Sequence, residues 1–445
     1  MTAEPALLDA ALRAARDTRC LRVSNGARRE AAGVFASLFG GRAAAIVADE
    51  NTFTAAGADV YDSLRAAGQT CLEPLILGPR IHAEMPLVER VETYLEPAGA
   101  IGVAVGSGTI NDLTKLASGR RHRPYMTVAT AASMDGYTSF GASILYQGSK
   151  QTFPCPAPLG VVADLDVIQN APEGMNASGY ADLLAKCPAG ADWIVADACC
   201  VEPIDAAVWN TVQSSLRAWI ADPAAVRRRE PEALRRLVTG LMMTGFAMQA
   251  ACSSRPASGA EHQFSHLWDM QHHTYRGAAP SHGFKVGIGS LASLALYEAV
   301  LARGLDGLDI DAAVSRWPDA AENDREIAAL FPQVELAATA RKESGTKYID
   351  KARLRSELTA LKEGWPSLRA RLSKHLLSRA EAAQMLAEAG APADSTGIGI
   401  SRARLKRSYL EAYHIRRRYT VLDLARRTGL LTELLDRLYP EEARV

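Results

Sequence analysis

The chain has 445 residues, of which 48% are hydrophobic and 22% are charged, a composition typical of a globular protein with two or three domains. Lysine plus arginine and aspartate plus glutamate number 50 each, so the formal net charge is zero. A neutral chain has no global field that attracts nucleic acid or anionic membranes, which argues against both as partners.

The first residues, Met1 to Pro5, lack a basic stretch followed by an apolar core, and no apolar run is long enough to span a bilayer. We therefore expect a cytoplasmic protein. Seven cysteines are widely scattered without a C-x-x-C pair, which disfavours a disulfide framework and a cysteine-rich zinc site.

Short apolar runs alternate with helical patterns between residues 40 and 165. Most have four to eight residues and are bounded by glycine, proline or polar residues, which is typical of buried strands in a parallel sheet with crossover helices. We predict an α/β dinucleotide-binding domain over residues 1–165. Its predicted strands are Ala44–Ala48, Leu72–Leu77, Ile101–Val105, Tyr125–Ala129 and Val161–Val162.

Beyond Asp166 the strand pattern fades and a period of 3.6 residues dominates, which predicts an all-α domain over residues 166–445. The predicted helices are Ala206–Ala221, Pro231–Cys252, Phe284–Ala302 and most of 350–438.

The strand Ile101–Val105 runs into Gly106-Ser107-Gly108 and then into a helix opened by small polar residues as far as Asp112. Glycines let a backbone approach phosphates, and a helix N-terminus offers unpaired N–H groups to a pyrophosphate. The spacing is not the usual G-x-G-x-x-G, so a structural turn is the alternative. Asp49 ends an earlier strand and is either a ribose ligand or a turn former.

His262 and His266 lie one helical turn apart, and His282 follows between Ser281 and Gly283. With Asp182 they supply two imidazoles and one carboxylate for a divalent ion, a set that leaves a coordination position open for a substrate oxygen. A helical histidine pair is equally common as an ordinary core or solvated pair. His272 and His273 are adjacent on the chain and diverge, so we leave them out.

Several separated motifs, in this order and spacing, resemble the sn-glycerol-1-phosphate dehydrogenases, a branch of the metal-dependent alcohol dehydrogenases related to glycerol dehydrogenase and 3-dehydroquinate synthase. The resemblance covers roughly residues 40 to 300, and the tail Ile415–Ala425 is similar to the end of the bacterial members. The motifs are Gly106–Lys115, Thr130–Gly136, the stretch 163–186 and the two histidine motifs.

The resemblance implies a dehydroquinate synthase-like fold, with one zinc or nickel ion held by Asp182, His262 and His282. It implies that NADH or NADPH reduces dihydroxyacetone phosphate to sn-glycerol 1-phosphate, for phospholipid metabolism, in a cytoplasmic homodimer. Asp135 and His266 would face the substrate. The cofactor would contact Asp49, Gly106, Ser107, Gly108, Asp112, Thr130 and Ser133.

Arg255 and Lys285 stand beside the histidine motifs and are candidate ligands of a substrate phosphate, or else ordinary surface charges. The basic run Arg402–Arg418 is interpreted as a solvated helix face, with Leu410 and Ile415 turned inward. Three alternative functions remain: a lyase resembling 3-dehydroquinate synthase, a glycerol dehydrogenase-like polyol oxidoreductase, and a catalytically silent binding protein that keeps the fold. Metal identity, cofactor preference and subunit number stay open. So does the role of the helical tail, the part of the chain after about residue 340.

Overall fold

A computed structural model describes residues 4–78, 81–147 and 149–440. Its internal contacts divide the chain into two compact units. The first comprises Met1–Leu183, Asn210–Pro256 and Glu388–Gly390, and the second comprises Leu184–Trp209, Ala257–Ala387 and Ala391–Val445. These bounds differ from the predicted division at residue 165, because the helix Pro231–Ala251 packs with the sheet-bearing part of the chain.

The first unit contains a six-stranded sheet in which every neighbouring pair of strands is parallel. Its strands are β1 (Cys20–Ser24), β2 (Ala44–Asp49), β3 (Leu75–Leu77), β4 (Ile101–Gly106), β5 (Tyr125–Ala129) and β8 (Gly160–Asp164), in the order β1-β8-β5-β4-β2-β3. All five predicted strands are found, although β3 is shorter than predicted.

Two further elements of the first unit escaped the sequence analysis. Strand β1 pairs with β8 at the sheet edge. An antiparallel hairpin joins β6 (Ala142–Tyr146) to β7 (Ser149–Phe153). Both alternate or mix polar and apolar residues, so they lack the continuous apolar run of a strand that is buried on both faces.

Helices pack on both faces of the sheet, which explains why the central strands are apolar throughout. One face of the sheet packs Ile46 and Val103 against Phe35 and Val60, and the other packs Val47 against Leu113 and Val88. Strands covered on both faces read as continuous apolar runs. The helices of the first half are α1 (Glu4–Ala14), α2 (Ala31–Phe39), α3 (Glu50–Thr52), α4 (Ala58–Ala66), α5 (Met85–Tyr94), α6 (Gly108–Arg120), α7 (Leu165–Asn170) and α8 (Glu173–Leu184).

The remaining helices confirm the predicted all-α character beyond residue 166. The predicted helix Ala206–Ala221 is broken into two near residues 214–215, whereas the predictions for Pro231–Cys252 and Phe284–Ala302 match single helices. They are α9 (Lys186–Ala198), α10 (Ala206–Gln213), α11 (Leu216–Trp219), α12 (Pro223–Arg227), α13 (Pro231–Ala251), α14 (Ala260–Met270), α15 (His282–Arg303), α16 (Ile310–Arg316), α17 (Ala320–Leu330), α18 (Val334–Lys347), α19 (Lys351–His375), α20 (Arg379–Glu388), α21 (Arg402–His414), α22 (Val421–Arg427) and α23 (Leu431–Leu438).

Helix α15 is the core helix of the second unit. Among the described residues it is the one helix long and apolar enough to cross a membrane, and 78% of its most apolar window is buried inside the protein. It packs along α14, so the two helices that contain the histidine motifs lie side by side.

Candidate active site

A cavity of about 510 Å³ opens in the first unit at the carboxyl ends of the parallel strands. Its lining includes Asp49 at the end of β2, Ser107 after β4, Thr130 after β5 and Asp166 after β8. Strand β2 pairs with β3 on one side and with β4 on the other. The order in which the chain adds strands to the sheet therefore changes direction between β2 and β4. Open α/β sheets bind ligands at such a switch point.

The Gly106-Ser107-Gly108 turn joins β4 to α6 as predicted. Ser107 is the extended residue before the helix, and its side chain does not cap the first-turn amides, which leaves N–H groups and the positive end of the helix for an anion. A Cβ at Gly106 would lie 2.6 Å from the Ile110 side chain, and one at Gly108 would lie 3.2 Å from Met134. The turn therefore requires small residues and has the features of a pyrophosphate site.

Asp49 caps a helix at the edge of the cavity. Its Oδ1 accepts a hydrogen bond from the Thr52 amide at 2.8 Å, and the Asp49 amide donates to Thr52 Oγ1 at 3.0 Å. The carboxylate therefore caps α3 while it also lines the cavity. The structure is consistent with a ribose contact, which stays a prediction.

Arg28 is a cavity residue that the sequence analysis missed. Its Nη1 donates to Oδ2 of Asp164 at 2.8 Å, and its Nε donates to Oδ2 of Asp59 at 2.6 Å. Burial alone would raise the pKa of Asp164, but the hydrogen bonds from Arg28 lower it below its ordinary value. The one arginine that lines this cavity in the described part of the chain is thus already paired with two carboxylates.

Two predicted cofactor residues have partners away from the cavity. Asp112 Oδ2 accepts from the Ser143 amide at 3.1 Å, at the base of the β6–β7 hairpin, and burial raises the pKa of its carboxyl. The Ser133 carbonyl accepts from the Ser178 hydroxyl at 3.3 Å. Neither is among the described residues that line the cavity, so their cofactor roles stay predictions.

The loop that carries Asp135 is held by buried groups. Lys115 on α6 is buried, and its ammonium donates to the carbonyls of Gly136, Ser139 and Gly141 at 2.8, 3.0 and 3.1 Å. Helix α8 approaches the same loop at Gly179, where a Cβ would collide with the Ala132 carbonyl. Lys115 and helix α8 therefore hold the loop that carries Asp135.

Asp182 lies on α8, fully buried. Its Oδ2 accepts a hydrogen bond from the backbone amide of Asp135 at 3.1 Å. A buried carboxylate is costly unless it is hydrogen-bonded or paired, and this contact supplies part of that compensation.

The second unit carries the histidines. His262 and His266 lie on α14, with ring centroids 6.3 Å apart, and both are buried. His282 is the first residue of α15, which is capped by the Ser281 hydroxyl. The rings of His262 and His282 have centroids 5.3 Å apart.

Asp182 belongs to the first unit, and His262 and His282 belong to the second. Two imidazole nitrogens and one carboxylate form a donor set that suits a divalent transition-metal ion and leaves a coordination position open. The role of the three residues as ligands of one ion stays a prediction.

Glu261 precedes His262 and is buried. Its Oε1 lies 2.8 Å from Nδ1 of His262 and accepts from the Gly259 amide at 2.5 Å. Burial raises the pKa of the Glu261 carboxyl to about 7, although the Gly259 hydrogen bond and the nearby Lys186 ammonium favour the charged form. The sequence analysis missed this residue, whose only local signal is its place beside the histidine.

A second buried acid, Asp192 on α9, holds the start of the histidine helix. Its Oδ2 accepts from the Ala260 amide at 2.7 Å, and its Oδ1 accepts from the Val421 amide at 2.7 Å and from the Tyr297 hydroxyl at 2.5 Å. One carboxylate therefore joins α9, α14, α15 and α22.

The helical tail packs along the whole of α14. The Trp268 indole donates to the Ser408 hydroxyl at 3.0 Å, and Phe264 meets Tyr409 edge to face at 4.9 Å. His273, which we left out as a ligand, lies 2.6 Å from the Ile398 carbonyl through Nε2. The tail thus supports the helix that carries two predicted site residues.

Lys285 and Arg255 are both buried rather than exposed. The Lys285 ammonium forms an ion pair with Asp269, which compensates part of its charge. A role in phosphate binding stays a prediction for both residues.

Solved structures resemble this chain over nearly its whole length. A probable glycerol dehydrogenase from Sinorhizobium meliloti 1021 matches with a TM-score of 0.60 and 16% identity, over 96% of this chain and 98% of that one. The glycerol dehydrogenase of Schizosaccharomyces pombe matches with a TM-score of 0.57 and 14% identity, over 94% and 90%. At these identities the likeness establishes the fold, as predicted.

Sequence relatives carry one name, glycerol-1-phosphate dehydrogenase (NAD(P)+). That of Halalkalibacterium halodurans is 35% identical over 57% of this chain and 64% of its own length. That of Methanococcoides burtonii is 33% identical over 57% and 69%, and that of Geobacillus stearothermophilus is 29% identical over 85% of each.

The match therefore spans just under two thirds of the length of the Halalkalibacterium relative. The family model of iron-containing alcohol dehydrogenases matches residues 22–172, which contain most of the sheet and most of the cavity lining. With the fold, the cavity and these relatives together, the chain belongs to the glycerol-1-phosphate dehydrogenase family.

Proposed function

We propose that this protein is an NAD(P)H- and metal-dependent oxidoreductase that reduces dihydroxyacetone phosphate to sn-glycerol 1-phosphate. The balanced reaction converts the ketone, reduced nicotinamide and one proton into the alcohol and oxidised nicotinamide. The observation that carries the proposal is the pair of neighbouring imidazoles His262 and His282, with ring centroids 5.3 Å apart, in a chain whose relatives bear the name of this activity.

Asp182, His262 and His282 would hold the ion. A bound divalent ion polarises a carbonyl oxygen and stabilises the negative charge that hydride addition creates there. The protein must then deliver a proton to that oxygen. His266 is a suitable donor, because it lies one helical turn from His262 on the same helix and can act directly or through water.

Asp135 is the second substrate residue in this proposal. Its loop is fixed by Lys115, and its amide contacts Asp182, so its carboxylate belongs to the same neighbourhood as a predicted ligand. There it would accept hydrogen bonds from substrate hydroxyl groups or join the proton path.

The cofactor would occupy the cavity of the first unit, with its pyrophosphate at the N-terminus of α6 and a ribose near Asp49. The cavity volume, the small residues of the turn and its place at the switch point support this assignment.

The test is a substrate panel followed at nicotinamide absorbance, with dihydroxyacetone phosphate, dihydroxyacetone and glyceraldehyde phosphate, and with chelator-treated enzyme as control. We expect stoichiometric oxidation of NADH or NADPH with the first ketone only, and loss of rate after chelation. A 3-dehydroquinate synthase-like lyase would recycle its nicotinamide within one turnover, so stoichiometric consumption separates the two functions.

Three finer points belong to the same proposal. The metal is zinc or nickel, which both accept imidazole nitrogen and carboxylate oxygen; metal analysis of protein purified without added metal tests this. The protein acts in the cytoplasm as a homodimer, without nucleic-acid or membrane partners, which cell fractionation and light scattering during size-exclusion chromatography test.

A further inference from the structure

Glu261 lies at a close approach between the two histidine-bearing helices. At Gly289 on α15, an added Cβ would collide with the Glu261 carbonyl, so only glycine permits this approach. The backbone of Glu261 is thereby fixed against the helix that begins with His282, while its side chain turns back toward the N-terminus of α14.

The hydrogen bonds at Oε1 of Glu261 indicate which ring nitrogen of the neighbouring His262 carries the hydrogen. The Gly259 amide can only donate, so this oxygen acts as an acceptor. If Glu261 is a carboxylate, or is protonated on Oε2, then His262 Nδ1, 2.8 Å from Oε1, carries the hydrogen and donates it. In a neutral imidazole the lone pair is consequently on Nε2, which is the nitrogen that can bind a cation.

We propose that Glu261 is a positioning residue for His262, which selects the Nδ1–H tautomer and holds the ring so that Nε2 faces the ion. The inference rests on the proposed metal site, and it assigns a role to a residue outside the ligand set. A carboxylate behind a ligand histidine both orients the ring and increases its basicity as a ligand.

Two substitutions of similar size distinguish the effect of the acceptor oxygen from the effect of side-chain volume. Glu261→Gln keeps an oxygen that can accept from both Gly259 and His262, whereas Glu261→Met fills the space without an acceptor. Glu357→Gln is the matched control: this glutamate of the second unit is also largely buried and accepts from Arg427 on α22 and from Tyr419 just before that helix.

The first measurement is the zinc affinity of the metal-stripped full-length protein, by competition with a chromophoric chelator. We expect Glu261→Met to lower it by about 10- to 100-fold, and Glu261→Gln and Glu357→Gln to remain close to the wild type. The visible spectrum of the Co²⁺-loaded protein should change in the Met variant alone, because it reports the geometry of the ligands and not the stability of the fold.

The second measurement needs no variant at Glu261. Nitrogen-15 NMR of histidine-labelled wild-type protein should show the His262 ring as the Nδ1–H tautomer, with the signal assigned by its loss in His262→Gln. The Nε2–H tautomer, or unchanged zinc affinity and Co²⁺ spectrum in a folded Glu261→Met variant, would overturn the proposal. Because no readout depends on turnover, normal metal binding without ketone reduction would contradict the proposed function and leave this inference standing.

Discussion

The backbone amide of Asp135 donates a hydrogen bond to Oδ2 of the buried Asp182, at 3.1 Å. One predicted substrate residue is thereby held by one predicted metal ligand. Any change that removes the carboxylate of Asp182 acts on the ion and on the substrate loop together.

We expect Asp182→Asn to lower metal affinity by more than about 100-fold and to abolish activity. This loss is larger than the usual effect of removing a residue that holds a ligand without binding the metal itself. His282→Ala should do the same. Metal content after dialysis, with circular dichroism to verify folding, measures this. Glu173→Gln, an exposed acid at the other end of α8, should retain metal and rate. Stoichiometric metal in folded Asp182→Asn would show that the ligand assignment is wrong.

Gly108→Val should weaken NADH before it affects the metal. The added side chain would press on Met134 and cover the first-turn amides of α6, where the pyrophosphate is expected. Fluorescence titration should give a dissociation constant raised by about tenfold or more, a loss of roughly 1.4 kcal/mol. The control is Gly33→Val, an exposed helical glycine on α2 with nothing within 4 Å of its Cβ position. An unchanged NADH titration would move the cofactor elsewhere.

NADH should be preferred over NADPH. The cavity is lined by Asp49 and Asp166, and its arginine, Arg28, is already paired with two carboxylates, so a 2′-phosphate meets uncompensated negative charge. Asp49→Asn keeps a capping side chain for α3 and should narrow the preference, as measured by kcat/KM for both cofactors. Asp62→Asn, an exposed acid on α4, should not. Equal use of both cofactors by the wild type would contradict this prediction.

The substrate phosphate should dominate recognition. A charge-assisted hydrogen bond contributes roughly 1.5–3 kcal/mol, so losing two should reduce kcat/KM for dihydroxyacetone, relative to its phosphate, by about 100-fold or more. If Arg255 is one of the donors, Arg255→Gln should lower that ratio without changing the rate with dihydroxyacetone. Comparable efficiencies for both ketones would place the protein with glycerol dehydrogenases. Chiral analysis should find sn-glycerol 1-phosphate, and its enantiomer would refute the stereochemical assignment.

The tail should lose stability in mild acid. Burial lowers the pKa of His414 to about 4, with Glu326, Arg426 and Lys347 as its charged neighbours. A histidine whose pKa is lower in the folded state than its unfolded value of about 6.5 contributes fully to stability above pH 6.5. That contribution, on the order of 3 kcal/mol in total, is lost as the pH falls toward 4.

Hydrogen exchange of α21 amides between pH 6.5 and 4.5, corrected for intrinsic rates, measures this effect. Burial alone would raise the pKa of Glu326, but the two hydrogen bonds from Arg426 and the nearby His414 ring, whose Nε2 lies 3.7 Å away, lower it. Its own contribution is lost only below an unfolded pKa of about 4.3, outside this window. His414→Gln should reduce the pH dependence, and an equally steep dependence in that variant would assign the effect to another group.

The local pattern of the sequence determined most of the secondary structure. Continuous apolar runs predicted the parallel strands β2, β4, β5 and β8, because strands covered on both faces need no polar alternation. The spacing of His262 and His266 predicted one helical face. Strand β1 and the hairpin were missed because half-exposed edges carry no continuous apolar run.

Only the tertiary structure decided which side chains meet. Asp112 stands in a cofactor-like motif yet contacts Ser143, and Arg28 lies far along the chain from the turn that completes its cavity. The roles of Glu261 and Asp192 depend on where α9, α15 and the tail pack around α14. Periodicity reports which face of an element is buried, but the direction of a polar side chain is set by partners that long-range packing brings within hydrogen-bonding distance.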